Sequence, residues 1–435
     1  MKEREMKDSG IPWIGEIPND WKIAKLKHYT NLNNGNSLND GQKILYSQEN
    51  SENLPYISTK DIEKDYEKIN YHNGLSIPKN EQGFIIAPKD SILLCIEGGS
   101  AGKKIGFTRM DVFFVNKLCC ISSFSEKINT RFLYYFTNSY SFSEPFFQNI
   151  QGLIGGVSVS VLKNFLFTLP SLQEQKAIAE FLDRKCGGID ELVALQDKMI
   201  EELKAYKQSI ITETVTKGLN PNVPLKDSDI ERIGEIPQHW EVSKIKYIGE
   251  ARNGLTYSPQ DMCDETKGTL VLRSSNIQND TLCFEDNVYV DKEVDEELMM
   301  KEGDILICSR NGSAKLVGKC AIIPKHVNAT FGAFMMRFRS ILNRKFSLYL
   351  IRTTLAQYKE LFSTSTINQL TNTMIGNMQF PLPSELEQQE IANFLDKKCS
   401  EIDSLIELKQ QKIEELKDYK KSIIYEYVTG KKQIS

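Results

Sequence analysis

The sequence predicts an α+β chain: two mixed α/β domains joined by two long antiparallel coiled-coil helices with pseudo-twofold symmetry. Three observations predict it. One helical stretch is written twice, EQKAIAEFLDRKCGGIDELVALQDKMIEELKAYKQSIITETVT from Glu174 to Thr216 and EQQEIANFLDKKCSEIDSLIELKQQKIEELKDYKKSIIYEYVT from Glu387 to Thr429, displaced by 213 residues without a gap. A shorter frame also recurs, KDSGIPWIGEIPNDW from Lys7 to Trp21 and KDSDIERIGEIPQHW from Lys226 to Trp240, displaced by 219 residues. Between frame and helix lie two diverged segments that keep a shared plan of short β-rich runs separated by Gly, Asn and Pro.

In chain order the expected parts are a first domain over 1–170, a first helix over 171–217, a linker over 218–225, a second domain over 226–383, a second helix over 384–430 and a tail over 431–435. Each domain opens on a Gly- and Pro-punctuated loop, and Trp21 and Trp240 are expected as packing anchors. Within the domains Asn34-Gly35-Asn36-Ser37 matches Asn253-Gly254-Leu255-Thr256. The run Pro55 to Ile62 matches Leu270 to Ile277, and Ser91 to Cys95 matches Asp304 to Cys308, both leading into Gly-Ser-Ala at Gly99 and Gly312. Helical runs, TRFLYYFTNSY and RKFSLYLIRTTLAQY, follow each set of strands.

The long helices begin just after Pro170 and Pro383, where proline is tolerated, and end at the Gly-bearing segments after Thr216 and Thr429. Apolar residues at alternating three- and four-residue steps mark a heptad seam. In the first helix it is expected at Ile189, Leu192, Met199, Leu203, Tyr206 and Ile210, with Gln196 filling a place. In the second it is expected at Ile402, Leu405, Leu416, Tyr419 and Ile423, with Lys409 and Lys412 at its middle. Each helix would run roughly 65 Å at about 1.5 Å per residue, and a single apolar stripe that long needs a partner. The linker KGLNPNVPL has its counterpart where the chain stops at GKKQIS, so the termini are expected to lie together, as in a two-unit ring cut at one linker.

Composition is that of a globular protein of 435 residues with two or three domains. No run is long enough to cross a bilayer and MKEREMKDSGIP does not read as a signal peptide, so a cytoplasmic chain is expected. Nine cysteines form no CxxC pair and four histidines are scattered, so no metal site is legible and the cysteines read as small core residues. The net charge of −4 means that any DNA-facing positive charge must be local or supplied by partners.

No catalytic apparatus is legible. Gly98 to Lys104 has Glu97 where a P-loop needs its first glycine and lacks the closing Ser or Thr; Gly312 to Lys319 is a residue too long. No Asn-Pro-Pro-aromatic run could hold an adenine. Glu265-Thr266-Lys267 has a nuclease-like spacing without a convincing upstream acid.

The order of IGEIPxxW, variable domain, LPSLQEQKAIAEFLD, long helix, TxGL linker and second round resembles the specificity subunit of type I restriction-modification systems, over nearly the whole chain. The resemblance implies a non-catalytic chain with two target-recognition domains. Each would read one half of a bipartite asymmetric site in double-stranded DNA, while the helices space the domains and dock two adenine methyltransferase subunits. Restriction and translocase subunits would join that core. S-adenosylmethionine, ATP and Mg would belong to the partners and none to this chain. Base-reading candidates are donors on Gly-flanked loops at matched positions: Asn36, Ser58, Lys60, Lys103 and Lys104 in the first domain, and Arg273, Ser275, Asn276, Arg310, Asn311 and Lys315 in the second. Arginine suits guanine and asparagine suits adenine in the major groove. Two other readings stand beside this one: a coiled-coil scaffold that reads no sequence, and a methyltransferase or nuclease with cryptic motifs.

Overall fold

The computed structural model describes residues 4–434 apart from 48–49, 51, 65–67, 153 and 363–367. Two compact units divide the chain, Met1–Lys198 with Lys409–Ser435, and Met199–Leu408. Each unit holds one domain and a half of each long helix. The division therefore falls inside the helices, whereas the sequence places its boundaries at their ends.

In unit 1 the opening frame folds as a hairpin, Met6–Asp8 against Glu16–Pro18. Gly10 and Gly15 take positive φ in the loop between those strands, a conformation that favours glycine. Ile14, Ile17 and Trp21 are buried beneath it, as the anchor role expects. The strand Lys22–Lys25 then pairs with Leu166–Leu169, which leads straight into the first long helix. Two four-stranded sheets make the domain body. One is antiparallel, in the order Thr30–Asn34, Leu118–Ser123, Ile92–Cys95, Ile105–Phe107. The other orders Ser76–Pro78, Asn53–Ile57, Val112–Phe114, Ile86–Ala87, with its two middle strands parallel. The helices Thr130–Thr137 and Tyr140–Gln148 follow, where the first helical run stands in the sequence.

Unit 2 repeats the plan. Its hairpin is Leu225–Asp227 with Glu235–Pro237, and Glu241–Lys244 pairs with Gln379–Leu382 ahead of the second long helix. Its antiparallel sheet orders Gly249–Asn253, Met335–Ser340, Ile305–Cys308, Cys320–Ile322. The mixed sheet, in the order Met262–Cys263, Tyr289–Val290, Thr269–Leu272, Ala329–Phe331, again has one parallel pair, but here Thr269–Leu272 pairs in parallel with an edge strand, Ala329–Phe331. Strong β-formers fill these short runs, and Asn-Gly falls where main chains nearly touch. A Cβ on Gly35 would lie 1.9 Å from the Phe114 carbonyl oxygen, and one on Gly254 would lie 2.2 Å from that of Phe331.

The long helices span Leu172–Lys217 and Glu385–Val428. Ser171 accepts from the Glu174 amide at 3.2 Å at the first start, and Ser384 accepts from Glu387 at 3.4 Å at the second. Each ends on a left-handed glycine, Gly218 at φ 77° and Gly430 at φ 74°. Both helix ends pack on the tryptophan of the same unit. A Cβ on Gly430 would meet Pro18 at 2.5 Å and Trp21 at 3.1 Å, and one on Gly218 would meet Trp240 at 3.2 Å. The opening frame of unit 1 thus adjoins the last turn of the second helix, with the Tyr425 hydroxyl donating to the Ile14 carbonyl at 3.3 Å.

Within unit 1 the two half-helices run antiparallel: Lys420 pairs with Asp190 at 2.6 Å, and Lys409 donates to Gln196 at 3.2 Å. Unit 2 repeats the ion pair with the equivalent residues, Lys207 and Asp403, at 2.7 Å.

The seam corrects the sequence expectation in phase. Residues turned inward are Leu182, Cys186, Ile189, Val193 and Ile200, with Leu203 and Ile210 half-buried; in the second helix they are Leu395, Cys399, Ile402, Ile413 and Ile423, with Ile406 and Leu416 half-buried. Ile189, Leu203, Ile210, Ile402, Leu416 and Ile423 therefore stand as expected. Leu192, Tyr206, Leu405 and Tyr419 do not, at 47–58% exposure, and Met199 lies half-buried beside buried Ile200. Lys409 is in the seam, but Lys412 is exposed and pairs with Glu415. The reason is that 4-3 and 3-4 stepping share every second position. Leu192-Val193 and Met199-Ile200 supply apolar side chains to both, while the true seam passes through Lys207 and Lys420, whose chains read as solvent residues until their aspartates are seen across the interface.

Candidate nucleic-acid interface

Each domain brings two turns together by the same backbone device. The first turn follows a strand of the mixed sheet. After Asn53–Ile57 the Ser58 amide donates to Asp61 Oδ2 at 2.8 Å, and after Thr269–Leu272 the Arg273 amide donates to Asn276 Oδ1 at 2.9 Å. The second turn follows the inner strands Ile92–Cys95 and Ile305–Cys308. Side chains tie first turn to second: Lys104 Nζ donates to the Thr59 carbonyl at 2.8 Å, and Asn311 Nδ2 donates to Ser274 Oγ at 3.3 Å. A further segment straps the second turn in each case. Gly98 N donates to Gly155 O at 2.8 Å, and Leu370 N donates to Ser309 O at 2.7 Å. The loops singled out in the sequence thus converge in both domains.

The side chains on them divide into holders and free ends. Asn36 holds the loop at 83–85, its amide donating to Gly83 O at 3.0 Å and accepting from Ile85 N at 2.8 Å. The Ser58 hydroxyl is engaged by Asp61. Asn276 is fully buried and bonds Cys283 O and Arg273 N. Arg273 pairs with Asp286 at 2.9 Å, and the Ser275 hydroxyl is buried. Lys104 and Asn311 tie loops as described, with Asn311 Oδ1 also accepting from Ser313 N. These seven shape the surface. Lys60, Lys103, Arg310 and Lys315 are exposed on it. Lys103 donates to Gly99 O in its own loop, and the Arg310 guanidinium lies 5.4 Å over the Phe334 ring.

Sequence reasoning missed a concentration of charge beside these loops. A cleft of about 1970 Å³ in unit 1 is lined by Lys64, Lys68, Lys103, Arg109, Arg131, Lys417, Lys420 and Lys421, against the acids Asp183, Asp190 and Glu414. Arg131 and Tyr135 both hold Asp183 at its wall. Positive charge is therefore local in a chain whose net charge is −4. It is not legible in sequence order because its members come from distant segments.

The matched cysteines are core groups. Cys186 and Cys399 lie in the helix seam, and burial pushes the Cys186 thiol up to about 12. Among the described residues no cluster of His, Cys, Asp or Glu could hold a metal, and no helix is long and apolar enough to cross a membrane.

Residues 18–205 and 237–418 match the family described as type I restriction modification DNA specificity domain. The MjaVIII specificity subunit of a type I restriction enzyme from Methanocaldococcus jannaschii is 26% identical over 95% of this chain and 93% of its own length. The EcoKI specificity subunit of Escherichia coli K12 is also 26% identical, over 81% of this chain and 73% of its own. A solved chain from work on assembly and conformational transition of the type I R-M system superposes with a TM-score of 0.73 at 16% identity, covering 95% of this chain and 99% of that one. A family match that takes in both domains and most of both helices leaves one conclusion: this chain belongs to the type I restriction-modification DNA specificity family.

Proposed function

We propose that the chain is the DNA-reading subunit of a type I restriction-modification complex, with each domain reading one half of a bipartite asymmetric site. The observation that carries this is the matched pair of loop surfaces. Backbone turns, ties and straps recur in both domains, while the exposed side chains differ: Lys60 and Lys103 on one, Arg310 and Lys315 on the other. Constant scaffolding beneath divergent donors suits two readers of different sequences. The basic cleft of unit 1 supports a path for phosphates, the term that supplies most non-specific affinity.

The helices dock two adenine methyltransferase subunits. Support comes from the apolar residues that the seam leaves outside: Leu192, Leu195 and Tyr419 in unit 1, and the equivalent Leu405, Leu408 and Tyr206 in unit 2. Two like surfaces suit two copies of one partner. In this reading the chain itself is no enzyme. S-adenosylmethionine, ATP and Mg are held by the methyltransferase and the restriction and translocase subunits, and the complex works in the cytoplasm.

The test is to co-express the chain with its methyltransferase partner and map methylated adenines across the genome. A bipartite motif is expected, and the purified chain alone should neither methylate nor cut DNA. Replacing 7–170 with a homologous domain should change one half of the motif only. Turnover by the chain alone, or change in both halves at once, would overturn the assignment.

A further inference from the structure

The strapped second turn carries opposite charges at one equivalent position in the two domains. Glu97 and Arg310 are displaced by 213 residues, the displacement of the helices. Their backbones share three bonding features. Glu97 bridges antiparallel to Gly156 and Arg310 to Gln369. The Cys95 thiol donates to the Glu97 carbonyl at 3.5 Å, and the Cys308 thiol to the Arg310 carbonyl at 3.8 Å. One residue earlier, Ile96 N donates to Lys117 O at 2.9 Å and Ser309 N to Phe334 O at 3.0 Å. Neither side chain has an ion pair among the described residues, so the fold requires neither charge.

From this we infer that Glu97 and Arg310 are one specificity position occupied twice, set to read a cytosine in the half-site of the first domain and a guanine in that of the second. The inference rests on the DNA-reading assignment above and adds its chemistry. A carboxylate facing phosphates is repelled, so on a DNA-facing turn Glu97 is favoured where it meets a donor on a base edge. In the major groove the fitting donor is the cytosine N4 amino group; adenine sets its N7 acceptor beside N6, which favours an amide side chain over a carboxylate. Arginine offers the converse fork of donors for guanine O6 and N7. Phe334, itself 60% exposed, lies under the Arg310 guanidinium and limits its sweep. Gly98 and Gly99 follow Glu97 and no Cβ there would meet a neighbour, so the turn leaves room for close approach of a base pair.

The experiment uses the full chain with its methyltransferase partner and maps methylated adenines for Glu97→Gln, Glu97→Arg, Arg310→Gln and Arg310→Glu beside the parent. Each Glu97 variant is expected to relax or change one base pair of one half-site, with discrimination there falling about 5- to 100-fold, while the other half-site stays unchanged. The Arg310 variants are expected to do the same in the opposite half. An active variant with an unchanged motif overturns the inference, as does weakening by the near-isosteric Glu97→Gln that is equal on all sequences. A parent complex that methylates no bipartite motif overturns the underlying assignment instead, and that outcome is read before any variant.

Discussion

The strands Leu118–Ser123 and Met335–Ser340 occupy the same place in their two domains, each second in an antiparallel sheet and flanked by equivalent partners. Their contents differ sharply. In unit 1 the buried middle holds Cys119 and Cys120; in unit 2 it holds Met336 and Arg337, the latter only 1% exposed. Arg337 is kept there by the Glu297 carbonyl at 2.6 Å and by Glu250 at 3.3 Å. One step along, Arg339 grips Asp304 with two contacts of 2.7 Å, and Asp304 is 2% exposed. The unit 1 equivalents are Ser122 and Ser91, and Thr108 serves the Ser91 main chain: the Ser91 amide donates to Thr108 Oγ1 at 2.8 Å and the Ser91 carbonyl accepts from the Thr108 amide at 2.8 Å. The same sheet is thus built once from small neutral groups and once around compensated charges. Hydrogen-bond register carries the fold; side chains may change provided that the opposite strand answers them.

That comparison makes the tryptophan anchors, identical in both units, the severest test. Trp21 and Trp240 are each 1% exposed and donate to equivalent carboxylates, Glu174 and Glu387, both at 2.9 Å. Trp21→Ala and Trp240→Ala should each cost about 3–5 kcal/mol, measured by denaturant unfolding or by hydrogen exchange resolved to each unit. Unequal losses would break the claim that the units are equivalent at their base.

The strands themselves should respond unequally. Arg339→Ala leaves the Asp304 carboxylate buried and uncompensated, and should destabilise unit 2 by about 3 kcal/mol. Ser122→Ala should stay within about 0.5 kcal/mol in the same assay. Similar values for both would mean that the ion pair contributes nothing beyond what the neutral version does.

The helices allow a smaller contrast one residue apart. Val193 is 2% exposed and Leu192 is 48% exposed. Val193→Ala should cost about 1.5–3 kcal/mol, in line with a fully buried valine. Leu192→Ala should leave stability nearly unchanged and instead weaken methyltransferase capture, followed by co-purification. The reverse ranking would restore the 3-4 seam.

The smallest effect concerns acid. Burial alone would raise the Glu387 pKa, but hydrogen bonds from Trp240, His239 and the amide and hydroxyl of Ser384 outweigh it and hold the carboxyl at about 2. A carboxyl depressed on folding stabilises above its ordinary value near 4.5 and loses that contribution as pH falls towards about 2. Amide exchange over residues 235–244 should accelerate through that window, and Glu387→Gln should flatten the response. An unaltered profile would remove Glu387 from the acid transition of unit 2.

The sequence alone was enough for what depends on period and recurrence. Two helices at one displacement, the proline starts, the glycine ends, the tryptophan anchors and the matched loops all follow from local stereochemistry or from self-comparison, and each stands in the structure at its expected place. Three-dimensional packing alone decided matters of direction. Asn36 and Asn276 have the right chemistry for a base, but which way an amide faces depends on groups far along the chain, and theirs face main chain. Glu97 stands in the sequence only as a break in a phosphate-loop pattern; its correspondence with Arg310 lies in the equivalent antiparallel bridges that their backbones make. The seam escaped by one residue for a related reason: a heptad states how often a helix touches its partner, whereas the side that touches is settled by the partner, here by the aspartates that receive Lys207 and Lys420.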